Sequence, residues 1–348
     1  VSETLEVGDS IRDIGHVERM LSAPPEALVD SLSRLDGDLL VLGAGGKMGP
    51  SLATMAVRAL REAGVRRRVI GASRFSDDQA EASLRRGGVE TIHCDLLDPN
   101  QLARLPDAPN IVFMAGTKFG TTGRESLTWI LNTVLPGMVA RRFAGARFVV
   151  FSTGNVYPLT PVDQGGSRET DPTDPVGEYA ASCLGRERVF QYYASALDSP
   201  TIIARLNYAN EPRYGVLVDL ARKVRDEQPI DVTMGYVNVI WQGDACAMIL
   251  RAFEHATVPA SVVNVVGPET LSVRGIAKRF GQLMDRPVRF LGEEAADALL
   301  SNGLSGYERL GWPEVDHERM IRWIADWVMR DGHCLAKPTH FECRDGRF

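Results

Sequence analysis

Four consecutive apolar residues, Leu39 to Leu42, stand between Asp38 and Gly43. A run this short, with no alternation, reads as a strand covered on both faces, as in a parallel sheet. The period then changes. Leu52, Met55, Ala56, Ala59 and Leu60 recur at helical spacing, and Gly64 ends the helix. The alternation continues, with strands expected at 69–72, 90–94, 111–115, 147–152 and 201–206. The helices between them fall at 78–86, 127–143 (interrupted by Pro136) and 177–197. Strands alternating with helices of this length predict βαβ units, and so an α/β chain with a Rossmann-type doubly wound parallel sheet. Beyond Tyr208 the regularity weakens. Helices at 216–225, 244–254, 273–284 and 317–330, an extended stretch at 236–241 and a strand at 262–266 suggest a smaller C-terminal substrate lobe. The expected organisation is an N-terminal extension (1–36), a nucleotide-binding domain (37–207), a lobe with segments returning to the sheet (208–330) and a tail (331–348).

Composition narrows the function classes. The 348 residues are 44% hydrophobic and 24% charged, ordinary for a globular chain. A net charge of −6 argues against a nucleic-acid partner. No apolar run approaches the roughly 18 residues of a membrane helix. Val1 to Gly8 lacks a basic stretch leading into an apolar core, so no signal peptide is expected. Five scattered cysteines suit reduced thiols, and a cytoplasmic location is expected. His333, Cys334, His340 and Cys343 fit no common zinc spacing, so no metal is expected, and the tail reads as mobile or laid on a partner subunit. Trp312, Trp323 and Trp327 lie near helical or turn spacing and read as core.

The sharpest local signal follows the first strand. Gly43, Gly46 and Gly49, with Lys47 and Met48 among them, form G-x-x-G-x-x-G between a strand and a helix. Gly43 permits the tight turn, Gly46 the close approach of a pyrophosphate and Gly49 the packing of helix on strand. The helix N-terminus then offers free N–H groups to phosphates. At the end of the second strand stands Ser73-Arg74 instead of an acid, which suits a 2′-phosphate, so NADP(H) is expected over NAD(H).

Several further segments, in order, resemble the extended short-chain dehydrogenase/reductase family, the NAD-dependent epimerase/dehydratase family. Cys94-Asp95-Leu96-Leu97-Asp98 resembles its G-D-L-x-D, which implies an adenine contact. Phe113-Met-Ala115-Gly116 resembles the segment lining the cofactor. Ala115-Gly-Thr-Lys118 is similar to the A-G-x-K of sugar epimerases, and Asn132 takes the place of a helix Asn. Ser152-Thr153-Gly-Asn-Val-Tyr157, Tyr179-Ala-Ala-Ser182-Cys183-Leu-Gly-Arg-Glu187 and Arg205-Leu-Asn207-Tyr complete the set, which spans about residues 38 to 330. The resemblance implies that Tyr179 exchanges a proton with a substrate oxygen, that Thr153 hydrogen-bonds the same oxygen, and that the cofactor carries a hydride. It also implies a homodimer through the helices beginning at Leu127 and Gly177.

The chain departs from the family where a lysine follows the tyrosine by four residues: here it has Cys183. One helical turn separates the two, so they share a face. A neutral thiol supplies no charge, whereas a cation at about 4 Å is worth about 4 kcal/mol at an effective dielectric of 20. Without it Tyr179 stays protonated at pH 7. Three consequences remain open. Lys118 takes over the cation's role, or Tyr179 serves mainly as an acid, or the protein binds cofactor without turnover. The segment 235–244 also lacks the Arg that holds a nucleotide-sugar diphosphate, and Arg213 is the one nearby substitute. The expected activity is therefore NAD(P)-dependent epimerisation, dehydration or reduction of a small sugar, sugar acid or related carbonyl compound. The alternatives are a catalytically degenerate cofactor-binding sensor or scaffold, and a nucleotide-sugar epimerase.

Overall fold

A computed structural model describes residues 10–76, 78–118, 123–335 and 337–346. Val1 to Gly8, read above for a signal peptide, lies outside them. The centre is a seven-stranded sheet, parallel throughout. Its strands are β1 (Leu39–Leu42), β2 (Val69–Ser73), β3 (Glu90–His93), β4 (Asn110–Phe113), β5 (Arg147–Thr153), β6 (Thr201–Leu206) and β7 (Ser261–Val265). Their order across the sheet is β7-β6-β5-β4-β1-β2-β3. The order reverses between β1 and β4, so a crevice opens beyond their carboxyl ends. All four residues of β1 are buried, as the unbroken apolar run requires.

Helices cover both faces. Those named below are α1 (Ile14–Leu21), α2 (Glu26–Arg34), α3 (Gly49–Glu62), α4 (Asp78–Arg86), α5 (Pro99–Ala103), α6 (Glu125–Trp129), α7 (Leu135–Arg142), α8 (Gly177–Ala196), α9 (Val216–Arg225), α10 (Gln242–Arg251), α11 (Val273–Met284), α12 (Leu304–Leu310) and α13 (His317–Met329). The expected single helix at 127–143 is three pieces, because a π turn, Ile130–Val134, joins α6 to α7. Pro136 has no N–H for the carbonyl four residues back, and the widened turn absorbs that loss.

The N-terminal residues are part of the packing. Leu28 and Leu32 of α2 join the core beneath α3, while Ile11, Val17 and Leu21 join the second lobe's core. That second core is built on α9, α11 and α13, with Leu217, Phe280, Ile324 and Trp323 fully or almost fully buried. Trp312, grouped with the core by its spacing, is instead 62% exposed and stacks on Tyr307, 4.4 Å between ring centres. The tail also differs from expectation. Phe341 is buried in the second core, and the Thr339 backbone and hydroxyl both donate to Asp219 on α9 at 2.8 and 2.7 Å. Arg344 binds Asp297. The tail thus packs on the chain's own lobe. Among the described residues no helix is long and apolar enough to cross a membrane, and no cluster of His, Cys, Asp or Glu could hold a metal ion.

Candidate active site at the carboxyl edge of the sheet

The glycine loop turns tightly against the end of β4. Gly43 has φ +92°, and a Cβ there would lie 2.7 Å from the Ala115 nitrogen. A Cβ on Gly49 would lie 2.0 Å from the Ala44 carbonyl oxygen, so only glycine lets α3 begin so close to β1. Helix α3 starts with no side-chain cap and has Pro50 in its first turn. The Gly49 N–H donates to the Gly46 carbonyl at 3.1 Å, so what the helix start offers an anion is chiefly the positive end of its dipole. Ser73 ends β2 with its hydroxyl against Gly45. Arg74 beside it is exposed. Asp95 and the buried Leu96 follow β3 along the same edge, with Asp95 accepting from the Leu97 nitrogen at 3.0 Å. This cradle fits a dinucleotide: a tight turn, a helix N-terminus for the pyrophosphate, and polar groups at the ends of β2 and β3.

A cavity of about 610 Å³ continues from the loop across to the second lobe. Gly46, Lys47 and Met48 line one wall, Gly116 and Lys118 another, and Thr153 with Tyr179 the floor. The Tyr179 hydroxyl is hydrogen-bonded with both Thr153 and Cys183. Burial, then the neighbouring Cys183, push the Tyr179 phenol well above its ordinary 10. Burial also pushes the Cys183 thiol up, away from thiolate. Lys118 stands with its ammonium 5.8 Å from the centre of the Tyr179 ring, and burial draws it down to about 8.

Asn132, presented by the π turn, ties this floor together. Its amide donates to the Thr117 carbonyl and the Ser182 hydroxyl, both at 3.0 Å. Its carbonyl accepts from the Thr117 nitrogen at 3.0 Å and from Arg186 at 2.8 Å. Beneath it runs a buried chain of motif residues. Ser152 donates to Glu187 at 2.5 Å. Arg205 grips both Glu187 oxygens at 3.0 and 2.6 Å and donates to the Tyr157 hydroxyl at 2.7 Å, which donates to Asn264 at 2.9 Å. That chain pins α8 to the ends of β5, β6 and β7.

Thus Thr153, Tyr179, Lys118, Gly116, Lys47 and Met48 line one cleft, Cys183 and Asn132 are buried behind its wall, and Ser73, Arg74, Asp95 and Leu96 lie along the sheet edge beyond it. Arg213 is not available to a diphosphate, because Glu211 holds it at 2.8 and 3.2 Å. Three features were not read from the sequence. Lys47 reaches across to the Ala209 carbonyl at 3.3 Å and lies 4.0 Å over the Tyr214 ring. Lys337 and Thr339 of the tail close the far side of the cleft. Arg186 also lines the cleft, seven residues after Tyr179 and so on the same helical face. That spacing was visible in the sequence; the tail's position was not.

The model of the NAD dependent epimerase/dehydratase family matches residues 39–266. A comparison with curated proteins found no match. Solved structures are similar over most of the chain. The UDP-glucuronic acid 4-epimerase from Bacillus cereus, in complex with NAD, is 17% identical, covers 84% of this chain and 99% of its own, and has a TM-score of 0.68. The UDP-glucose 4-epimerase of Thermus thermophilus, also with NAD, is 18% identical over 84% and 99% of the two chains, TM-score 0.68. MoeE5 in complex with UDP-glucose and NAD is 19% identical over 85% and 99%, TM-score 0.66. At such identity the likeness is one of fold. These neighbours hold NAD, and the expected preference for NADP(H) finds no support among them. The matched segment, the parallel sheet and the glycine cradle agree: the chain belongs to the NAD-dependent epimerase/dehydratase family.

Proposed function

We propose that the protein is an NAD-dependent oxidoreductase or epimerase acting on a small polyhydroxy acid. The observation that carries this reading is the lining of the cleft. Lys47, Lys118, Arg186 and Lys337 all face it, and no Asp or Glu is among the described residues that line it. A cation-lined cavity in a chain of net charge −6 concentrates an anion. A nucleotide diphosphate is the poorer candidate, because Arg213 is already paired with Glu211 and the tail closes the far side. The nicotinamide, when bound, supplies and takes back a hydride. This chain's residues do the rest. Lys47 and Lys337 hold the carboxylate, Thr153 donates to the substrate oxygen, and Tyr179 passes its proton to that oxygen as a carbonyl becomes a hydroxyl, or recovers it in reverse. A phenol held protonated by burial is suited to the donating direction.

Calorimetry of the cofactor-loaded protein against hexonates, hexuronates, neutral hexoses and UDP-glucose tests this. The acids bind and the neutral sugars do not; Lys47→Met weakens the acids about 10-fold or more. Tight, saturable binding of UDP-glucose overturns it. The reading also fixes a pH dependence. Burial draws Lys47 down to about 8. Below that pH the amine is charged and attracts the acid; above it the charge is lost, and affinity falls by up to about tenfold per unit. Titration with NADH and NADPH settles the cofactor. Tighter NADPH binding, lost in Arg74→Ala, would return to the 2′-phosphate reading.

A homodimer is part of the proposal. Leu127, Ile130 and Val134 form an exposed apolar stripe along α6 and the π turn, and Tyr192 of α8 is exposed as well. Contiguous apolar surface of this kind marks an interface. Light scattering after size exclusion should give a dimer mass, and a monomer mass for Ile130→Asp with Val134→Asp.

A further inference from the structure

We propose that the guanidinium of Arg186 replaces the lysine that this helix lacks at Cys183, and acts through Tyr179 as the fixed positive charge of the active site. Tyr179, Cys183 and Arg186 lie at positions 0, 4 and 7 of one stretch of α8, and so on one face. Arg186 is only 6% exposed, yet it borders the cleft. Its two terminal nitrogens are fixed by neutral acceptors, the Phe151 carbonyl and the Asn132 side-chain oxygen, each at 2.8 Å. Its Nε is buried and has no hydrogen-bond partner among the described residues. The adjacent Glu187 does not neutralise it, since that carboxylate is taken by Arg205 and Ser152.

A buried guanidinium costs several kcal/mol of desolvation, and here two neutral hydrogen-bond acceptors offset it only in part, with no carboxylate among the described residues paired to it. Such a charge is expected where an anion forms during the reaction. The group that becomes anionic on this face is Tyr179, whose ionised form Arg186 favours against burial and Cys183. Lys118 is less suited. Burial brings it to about 8, so its charge fades as the pH rises past that value. A guanidinium keeps its charge there. Gly116 completes the fit, because a Cβ there would come within 2.4 Å of the Arg186 Nη2.

The inference rests on the reading of Tyr179 as the proton-exchanging group, and its test needs no substrate. Tetrafluorotyrosine placed at position 179 lowers the pH of the phenol's ionisation by several units, towards a range where the fold survives even from a raised starting point, and its fluorine shifts report the titration. Arg186→Met should raise the midpoint by about one to two pH units. Adding Cys183→Lys to Arg186→Met should bring it back down. Arg186→Lys, which keeps a charge but loses the fork, should hold the midpoint within about half a unit even if the melting temperature falls. A midpoint unmoved in folded Arg186→Met overturns the proposal. So does one raised equally by Arg186→Lys and Arg186→Met, since that marks a structural role. Failure of the underlying reading shows elsewhere, as unchanged turnover in Tyr179→Phe.

Discussion

Tyr179→Phe lowers turnover about a thousandfold and leaves cofactor affinity within about threefold, the signature of a lost proton donor in an otherwise intact site. The ring packs beside Val156, Tyr157 and Cys183, and phenylalanine keeps that packing. What is removed is the hydroxyl bonded to Thr153 and Cys183. The loss belongs in the rate of hydride transfer, read by stopped-flow absorbance of the nicotinamide. A sugar acid should still bind, because its carboxylate is assigned to Lys47 and Lys337 and the phenol takes no part in holding it. Thr153→Val is the milder partner. It removes one donor to the same oxygen, costs about ten- to a hundredfold, and leaves Tyr179 in place. Turnover of Tyr179→Phe within tenfold of the parent would remove the tyrosine from the reaction. Full binding with no turnover in the parent itself would favour the sensor or scaffold.

How far the sequence reveals this site depends on how local each signal is. The helices at 78–86, 216–225 and 273–284 are found at their expected bounds. Two of them are bracketed by their own chemistry: Gly87-Gly88 stops the first, and the Ser272 hydroxyl caps the last by accepting from the Gly275 nitrogen at 3.1 Å. The glycine loop is equally local. Helix α1 carries a signal that could have been used, since Asp13 caps it by accepting from the His16 nitrogen at 2.7 Å. Trp312 misleads because it follows Gly311, past the end of α12, so helical spacing to Trp323 does not make it a neighbour in space. The tail has no periodicity and docks through a carboxylate 120 residues away, a contact no window along the chain contains. Arg186 was hidden differently. Matching motif letters marks Tyr179, Cys183 and Glu187, whereas counting turns of the helix also marks the arginine between them.

Glu187→Ala costs about 3–5 kcal/mol of stability, read as a shift of the urea midpoint at constant slope. The Glu187 and Arg205 side chains are 0% and 4% exposed. Alanine leaves the Arg205 charge buried beside the Tyr157 hydroxyl, with no anion, and strips the Ser152 hydroxyl of its acceptor. Domains are stable by about 5–15 kcal/mol, so one substitution removes a large share. Removing both charges is gentler. Glu187→Met with Arg205→Met recovers at least half of that loss, because the pair's attraction was offset by its desolvation. The double variant also separates stability from geometry. The ion pair joins α8 to β6, and α8 carries Tyr179, Cys183 and Arg186. A refilled apolar core restores the fold without restoring the angle at which that face meets Thr153. Turnover therefore stays well below the parent's while the urea midpoint returns. Equal recovery of both would make the buried pair a matter of stability alone; no loss in Glu187→Ala would mean that the pair contributes nothing to holding the catalytic helix.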